Sequence, residues 1–207
     1  MVARPDHAGV DKPHAPSCER NREPILEVLR RHFADRRRVL EIGSGTGQHA
    51  VHFAATLTWL DWQCSDRAEN LPGIRAWLDE AALPNTPAPL QLDVAGPWPS
   101  GPFDAVFSAN TLHIMAWHEV EALFAQLPAV VADGARLAIY GPFNHGGRYT
   151  SDSNAVFDQW LKARDTHMGI RDAEAVDALA MAAGFALVDD VAMPANNRCR
   201  VWRRGRR

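Results

Sequence analysis

An apolar run from Arg38 to Ile42 opens directly onto Gly43-Ser44-Gly45-Thr46-Gly47, with an acidic residue, Glu41, just before the glycines. Glycine at a strand-to-helix turn permits positive φ and lets a ligand press against bare backbone. Three ligand classes use such a turn. A phosphate-cradling P-loop requires Gly-Lys-Ser/Thr, which this segment lacks. A dinucleotide loop of the form GxGxxG requires a third glycine at position 48, where the chain has Gln48. The pattern GxGxG after an acid suits a ligand without a pyrophosphate.

S-Adenosylmethionine is such a ligand. Its amino-acid end can meet loop backbone, and its ribose hydroxyls require a carboxylate acceptor. Asp66, 19 residues beyond Gly47, is placed like the ribose-binding acid of nucleotide folds. Asp93 is placed to meet the adenine amino group, and Asn110 to face the methionine end. Other roles compete with these. Glu41 is also readable as a strand-end carboxylate holding loop amides, and Asp66 and Asp93 as helix N-caps.

Transfer of a sulfonium methyl group is an in-line displacement with a neutral thioether leaving. No acid is needed, and alignment alone supplies on the order of 7–11 kcal/mol at the limit. A base matters only for a nucleophile that arrives protonated. His113, three residues past Asn110, is a candidate base with an ordinary pKa of about 6.5, and equally readable as a structural histidine. Tyr140 and Asp158 complete the catalytic candidates. The polar, glycine-rich stretch from Tyr140 to Tyr149 reads as a lid or binding loop rather than a plain connection. Phe143, Asn144 and Arg148 from that stretch are expected at an acceptor pocket. Asn154 and Phe157, which share a helical face with Asp158, are expected there too, as are Arg171, Asn196 and Asn197. Arg148 or Arg171 would hold an anionic group. His49 and His52 are spaced for a metal, but no third ligand is evident and no metal is expected.

These residues need elements to position them. Ile25, Val28, Leu29 and His32 follow helical spacing after Asn21, a cap candidate, with Pro24 in the first turn. Strands are expected at 38–42, 59–64, 89–92, 103–107 and 135–140, alternating with helices at 48–57, 71–83 and from Trp117 to Leu127. That alternation argues for βαβ units and a parallel sheet covered on both faces. Two further helices are expected at 154–167 and 173–183. Strands at 185–191 and 198–202 follow, joined by too short a connection for a parallel crossover. The predicted fold is an α/β, Rossmann-like, doubly wound sheet of seven strands, mostly parallel, with one antiparallel strand at or near an edge.

Over roughly residues 19–203 the chain resembles a class I S-adenosylmethionine-dependent methyltransferase. Within that superfamily it is similar to an uncharacterised methyltransferase-like family, a domain of unknown function also represented in animals. The glycine loop, continued as Gln48-His49, carries the superfamily resemblance. The narrower one rests on Glu19-Arg20-Asn21-Arg22-Glu23-Pro24-Ile25-Leu26, Tyr140-Gly141-Pro142-Phe143 and Met193-Pro194-Ala195-Asn196-Asn197. The resemblance implies S-adenosyl-L-methionine as cofactor, with contacts at Glu41, Gly43, Gly45, Asp66, Asp93 and Asn110. It puts Arg20 and Asn21 at the methionine end or the substrate mouth; Ser44, Gly47 and Val94 complete the expected cofactor set. It does not supply a substrate. Asn110-Thr111-Leu112-His113 departs from the Asn/Asp-Pro-Pro-Tyr/Phe element of many exocyclic-amine methyltransferases, and no cysteine for pyrimidine C5 chemistry stands there. A small-molecule acceptor is therefore expected. The alternatives are a macromolecular acceptor, or a protein that binds S-adenosylmethionine without transferase activity. A nicotinamide-dependent reductase is disfavoured by Gln48 and by the lack of a Tyr-x-x-x-Lys pair after the fifth strand.

Composition sets the outer bounds. The chain has 207 residues and a formal net charge of −3, which fits one domain and argues against a general nucleic-acid binder. Six of the last ten residues are arginine, a stretch readable as a solvated strand end or as a phosphate or RNA patch. Three widely spaced cysteines form no disulfide framework, and neither a membrane span nor a secretory signal is visible. A cytoplasmic protein is expected, with a flexible arm at 1–18, one methyltransferase domain at 19–203 and a basic tail at 204–207. Its oligomeric state is left open.

Overall fold

The computed structural model describes residues 12–206. Strands β1 (Arg38–Ile42), β2 (Asp61–Asp66), β3 (Leu90–Gln91), β4 (Phe103–Ala109) and β5 (Val131–Gly141) alternate with helices α1 (Pro16–His32), α2 (Gln48–Thr56), α3 (Leu71–Ala81) and α4 (Trp117–Val130). Strands β6 (Phe143–Asn144) and β7 (Arg171–Asp172) flank α5 (Asp152–Arg164). Helix α6 (Ala173–Ala182) and strands β8 (Phe185–Met193) and β9 (Asn197–Arg204) close the chain. Seven strands form one sheet in the order β3-β2-β1-β4-β5-β9-β8. All neighbours pair in parallel except β5 with β9 and β9 with β8, so β9 alone is reversed, next to the edge. This is the Rossmann-like sheet that the alternating pattern predicts.

Burial follows from the strand composition. Val39 packs on one face of the sheet with Ile25, Phe53 and Ile74 from α1, α2 and α3. Leu40 and Ile42 pack on the other with Val120, Phe124 and Val176 from α4 and α6. Because strand order reverses between β1 and β4, the segments leaving those two strands diverge to opposite faces. The crevice this opens at their carboxyl ends is where doubly wound sheets hold ligands.

Three expectations need correction. Helix α1 starts at Pro16 rather than near Asn21, so Asn21 is a buried mid-helix residue and Pro24 lies inside the helix. Pro16 is itself a favourable first-turn proline, and Pro24 gives up the bond its missing N–H would make to the Arg20 carbonyl. Of the supposed flexible arm, residues 1–11 lie outside the described residues, while 12–18 are packed. Lys12 sits 3.5 Å over the Trp77 ring, and the Pro13 carbonyl accepts from Trp77 Nε1 at 2.7 Å. Of the arginine-rich end, the tail expected from residue 204 starts one residue later, because Arg198 to Arg204 lie in β9, the strand-end reading. Arg198 and Arg200 bind Asp190, Arg200 also binds Asp177, and Arg204 belongs to β9 with its guanidinium over the Phe185 ring.

Candidate active site

The glycine loop is shaped by what surrounds it. Gly43, Gly45 and Gly47 all have positive φ, of 72°, 59° and 90°. A Cβ on Gly43 would lie 2.3 Å from the Thr111 methyl, whereas a Cβ on Gly45 would meet nothing within 4 Å. Gly45 therefore faces open space in the cleft. The loop amides are turned inward. Gly43 and Ser44 N–H donate to the Ser65 carbonyl (3.0 and 3.1 Å), Gly45 N–H to Asp66 Oδ2 (2.7 Å), and Gly47 N–H to the Ser44 carbonyl. Gln48 N–H meets Thr46 Oγ1. Few donors remain for a pyrophosphate, which agrees with the missing third glycine and disfavours a dinucleotide.

Beneath the loop, Glu41 is buried and its Oε2 accepts from Ser44 Oγ (2.9 Å) and Trp62 Nε1 (3.0 Å). Burial raises its carboxyl to about 7 against those two hydrogen bonds. Glu41 does not itself line the cleft; Ser44 does. The cleft, of about 840 Å³, runs from Ser44 and Gly45 past Asp66 and Glu69 to an apolar slot of Leu92, Val94 and Met115. Asp66 is not a helix N-cap, the competing reading: its Oδ1 accepts from Arg67 N–H (2.7 Å) and Asn70 Nδ2 (2.8 Å), which fixes the carboxylate at the cleft. Asp93 is displaced from the expected position. It is exposed, its carboxylate takes the Ala95 N–H at 3.0 Å, and Leu92 and Val94 on either side face the cleft instead. Beyond β3 the chain enters a turn closed by Gly96 N–H on the Asp93 carbonyl (2.9 Å), and the acid is left outside.

A second cavity, of about 700 Å³, opens from the first and shares Ser17, Asn110, Ile114, Arg164 and Met168 with it. Asn110 stands at the junction in left-handed conformation (φ 58°), its N–H tied to the Tyr140 carbonyl at 2.9 Å. Arg20 and Asn21 line this second cavity rather than the glycine-loop cleft. Buried His49 fixes the Asn21 amide, with Nε2 2.7 Å from Asn21 Oδ1. Burial depresses the His49 imidazole to about 4, so it stays neutral and supplies one donor. His113 and Tyr140 also line the cavity. Burial, and then the nearby Arg171 charge, lower His113 to about 4, and no hydrogen bond from the described residues reaches its ring. Burial raises the Tyr140 hydroxyl above its ordinary value.

The expected acceptor residues divide. Asn154, Phe157 and Asn197 line the cavity. Asp158 does not: its buried carboxylate accepts from Tyr149 OH (2.6 Å), Lys162 Nζ (2.6 Å) and Ile170 N–H (2.7 Å), a structural anchor with no free face. Arg171 is likewise occupied, donating to the carbonyls of Leu112, Met115 and His167. The segment after β5 is no open lid. Phe143 is buried under the Arg200 guanidinium, and Phe143 and Asn144 pair with β7. Arg148 is exposed in a tight turn with His145. Asn196 is exposed and bonds Ser153, its carbonyl holding Asn154. Sequence reasoning missed Trp160 and Arg164, which line the cavity beside Phe157 and Leu161. They extend the same helical face at i+3 and i+7 from Phe157, a signal that was present. It also missed the strap formed by Ala15, Ser17 and Cys18 along the glycine-loop cleft.

Comparison with known proteins adds the family. Residues 12–204 match the family described as "Protein of unknown function (DUF938)". The chain belongs to that family. Its fold is shared with solved methyltransferase structures at low identity. An O-methyltransferase family protein from Burkholderia thailandensis superposes with a TM-score of 0.78 at 17% identity, over 88% of this chain and 56% of that one. The S-adenosylmethionine-dependent methyltransferase SibL, in its apo form, gives 0.78 at 22%, over 92% and 56%. An O-methyltransferase family 2 protein from Planctomyces limnophilus, solved in complex with apigenin, gives 0.77 at 16%, over 89% and 56%. The present chain thus spans a little over half the length of these proteins. What they share with this DUF938 member is the methyltransferase fold.

Proposed function

We propose that this protein is an S-adenosylmethionine-dependent methyltransferase acting on a small molecule. The observation that carries the reading is the junction at Asn110, where a glycine-loop cleft with few amides left for a pyrophosphate runs into a second, aromatic-walled cavity. The likeness to SibL supports the cofactor, and the apigenin-bound relative supports a small acceptor.

The residues present fit the cofactor by chemistry. Gly45 leaves room for close approach, Asp66 and Glu69 offer carboxylate oxygens for ribose hydroxyls, and Leu92, Val94 and Met115 form an apolar slot of the kind a purine fills. When bound, S-adenosylmethionine would supply an electrophilic methyl on a sulfonium. The chain's own contribution is alignment and charge control. Asn110 and Tyr140 flank the junction and hold the acceptor's approach, and His113 presents a neutral imidazole to an acceptor hydroxyl. Held neutral by burial, His113 would accept a hydrogen bond from the acceptor hydroxyl and orient it, with the proton lost to water. Being neutral, His113 does not repel a cationic methyl donor.

Calorimetry with S-adenosylmethionine, S-adenosylhomocysteine and NADH tests the reading. Micromolar binding of the first two and none of NADH is expected, on the order of −8 kcal/mol. Absence of binding by both sulfur nucleosides would sink it.

A further inference from the structure

The second cavity has a one-sided charge. Arg20 from α1 and Arg164 from the end of α5 line it, and no aspartate or glutamate does. Neither guanidinium has an ion pair or hydrogen bond among the described residues; Arg164 lies 5.8 Å from the Trp160 ring centroid and Arg20 is exposed at the rim. The glycine-loop cleft shares Arg164 and adds Arg67, but it sets against them Asp66, Glu69, Glu119 and Asp165. Two guanidinium groups without an ion pair among the described residues, set over apolar walls, raise the local potential there, favouring an anion and repelling an amine held as a cation.

The walls also have a shape. Phe157 and Trp160 stack with centroids 5.8 Å apart and planes 13° apart. The His113 ring stands edge-on to Phe157, at 5.3 Å and 74°. Walls made of ring faces and edges accept a flat ring by offset and edge contacts, each adding specificity beyond buried area. Asn110, Asn154 and Asn197 offer amides to polar substituents on such a ring.

From this we infer that the second cavity takes a flat aromatic anion, its ring against Phe157 and Trp160 and its acidic group toward Arg20 and Arg164. The inference deepens the proposed function, on which its description as an acceptor rests. A cavity of about 700 Å³ suits a bicyclic compound better than a single ring.

The test is calorimetry on the full chain, with and without saturating S-adenosylhomocysteine. The probes are 3-hydroxy-2-naphthoate, its neutral amide, the cation 2-naphthylmethylammonium, and decanoate as a flexible anion. The naphthoate should bind roughly tenfold more tightly than the amide, the scale of one charge-assisted hydrogen bond. The ammonium should give no heat, and decanoate should bind more weakly than the naphthoate. In the double variant R20Q/R164Q the preference for naphthoate over amide should disappear; both positions are exposed, so the fold should survive, and a ratio of affinities is insensitive to general loosening. Equal binding of naphthoate with its amide, the ammonium or decanoate would overturn the inference. So would an unchanged preference in the double variant. If S-adenosylhomocysteine binds and the naphthoate does not, the inference fails and the methyltransferase reading stands. If the naphthoate shows its preference while no sulfur nucleoside binds, the reverse holds.

Discussion

Glu41 shows how one residue can serve the loop and cost the fold stability. A carboxyl with an ordinary value of 4.5 and a native value of about 7 binds more protons folded than unfolded between those limits. The penalty is absent below about pH 4.5, grows between 4.5 and 7, and is complete above 7, on the order of 3 kcal/mol. Glu41→Gln keeps an oxygen for Ser44 and Trp62 but carries no charge. Urea midpoints should therefore show wild type losing stability from pH 5 to pH 8 and the variant losing less. Parallel curves would mean the charge is not the cause. At this scale the sequence was a partial guide. It marked Glu41, Asn110 and His113, but residue type alone also marked Asp158 and Arg171. Asp158 is spent on Tyr149, Lys162 and the Ile170 amide, and Arg171 on backbone carbonyls, two of them from a distant segment.

At the scale of elements, the strap that leads into and begins α1 explains a residue that looked like a defect. Gln48, standing where a dinucleotide loop has its third glycine, accepts the Ala15 N–H at 2.6 Å through Oε1 and donates to Glu19 through Nε2 at 3.1 Å. It thereby ties the strap along the cleft, where Ala15, Ser17 and Cys18 form one wall. Gln48→Ala removes bonds of about 0.5–1.5 kcal/mol each. Amide exchange at Ala15 should quicken, and S-adenosylhomocysteine should dissociate roughly 3- to 10-fold faster, by the same bond energies. Stopped-flow release unchanged from wild type would show that the strap does not gate the cleft. The helices and strands themselves were legible, because periodicity is local. The strap was not, because Pro13 and Pro16 read as punctuation until Trp77 and Gln48 supply partners from distant segments.

For the whole molecule, ligand binding to the native state should appear as stability. At 100 times its Kd, S-adenosylhomocysteine should add about 2.7 kcal/mol, which for a chain of this size raises Tm by roughly 5–10 °C. NADH should leave Tm unchanged in the same scan, and equal shifts from both would count against the loop's selectivity. The arginine-rich terminus shows the same division between sequence and structure. Read along the chain it is a charge run, and in the fold Asp177 and Asp190 from α6 and β8 absorb Arg198 and Arg200. The glycine loop, the alternation of elements and the reversed strand were determined by the sequence alone. Positive-φ glycines, 3.6- and 2-residue periods and a short final connection are properties of neighbours in the chain. Which polar groups face a ligand and which are consumed by the fold was decided only by the tertiary structure. A side chain's free hydrogen-bonding capacity is what remains after residues far away in sequence have taken their share.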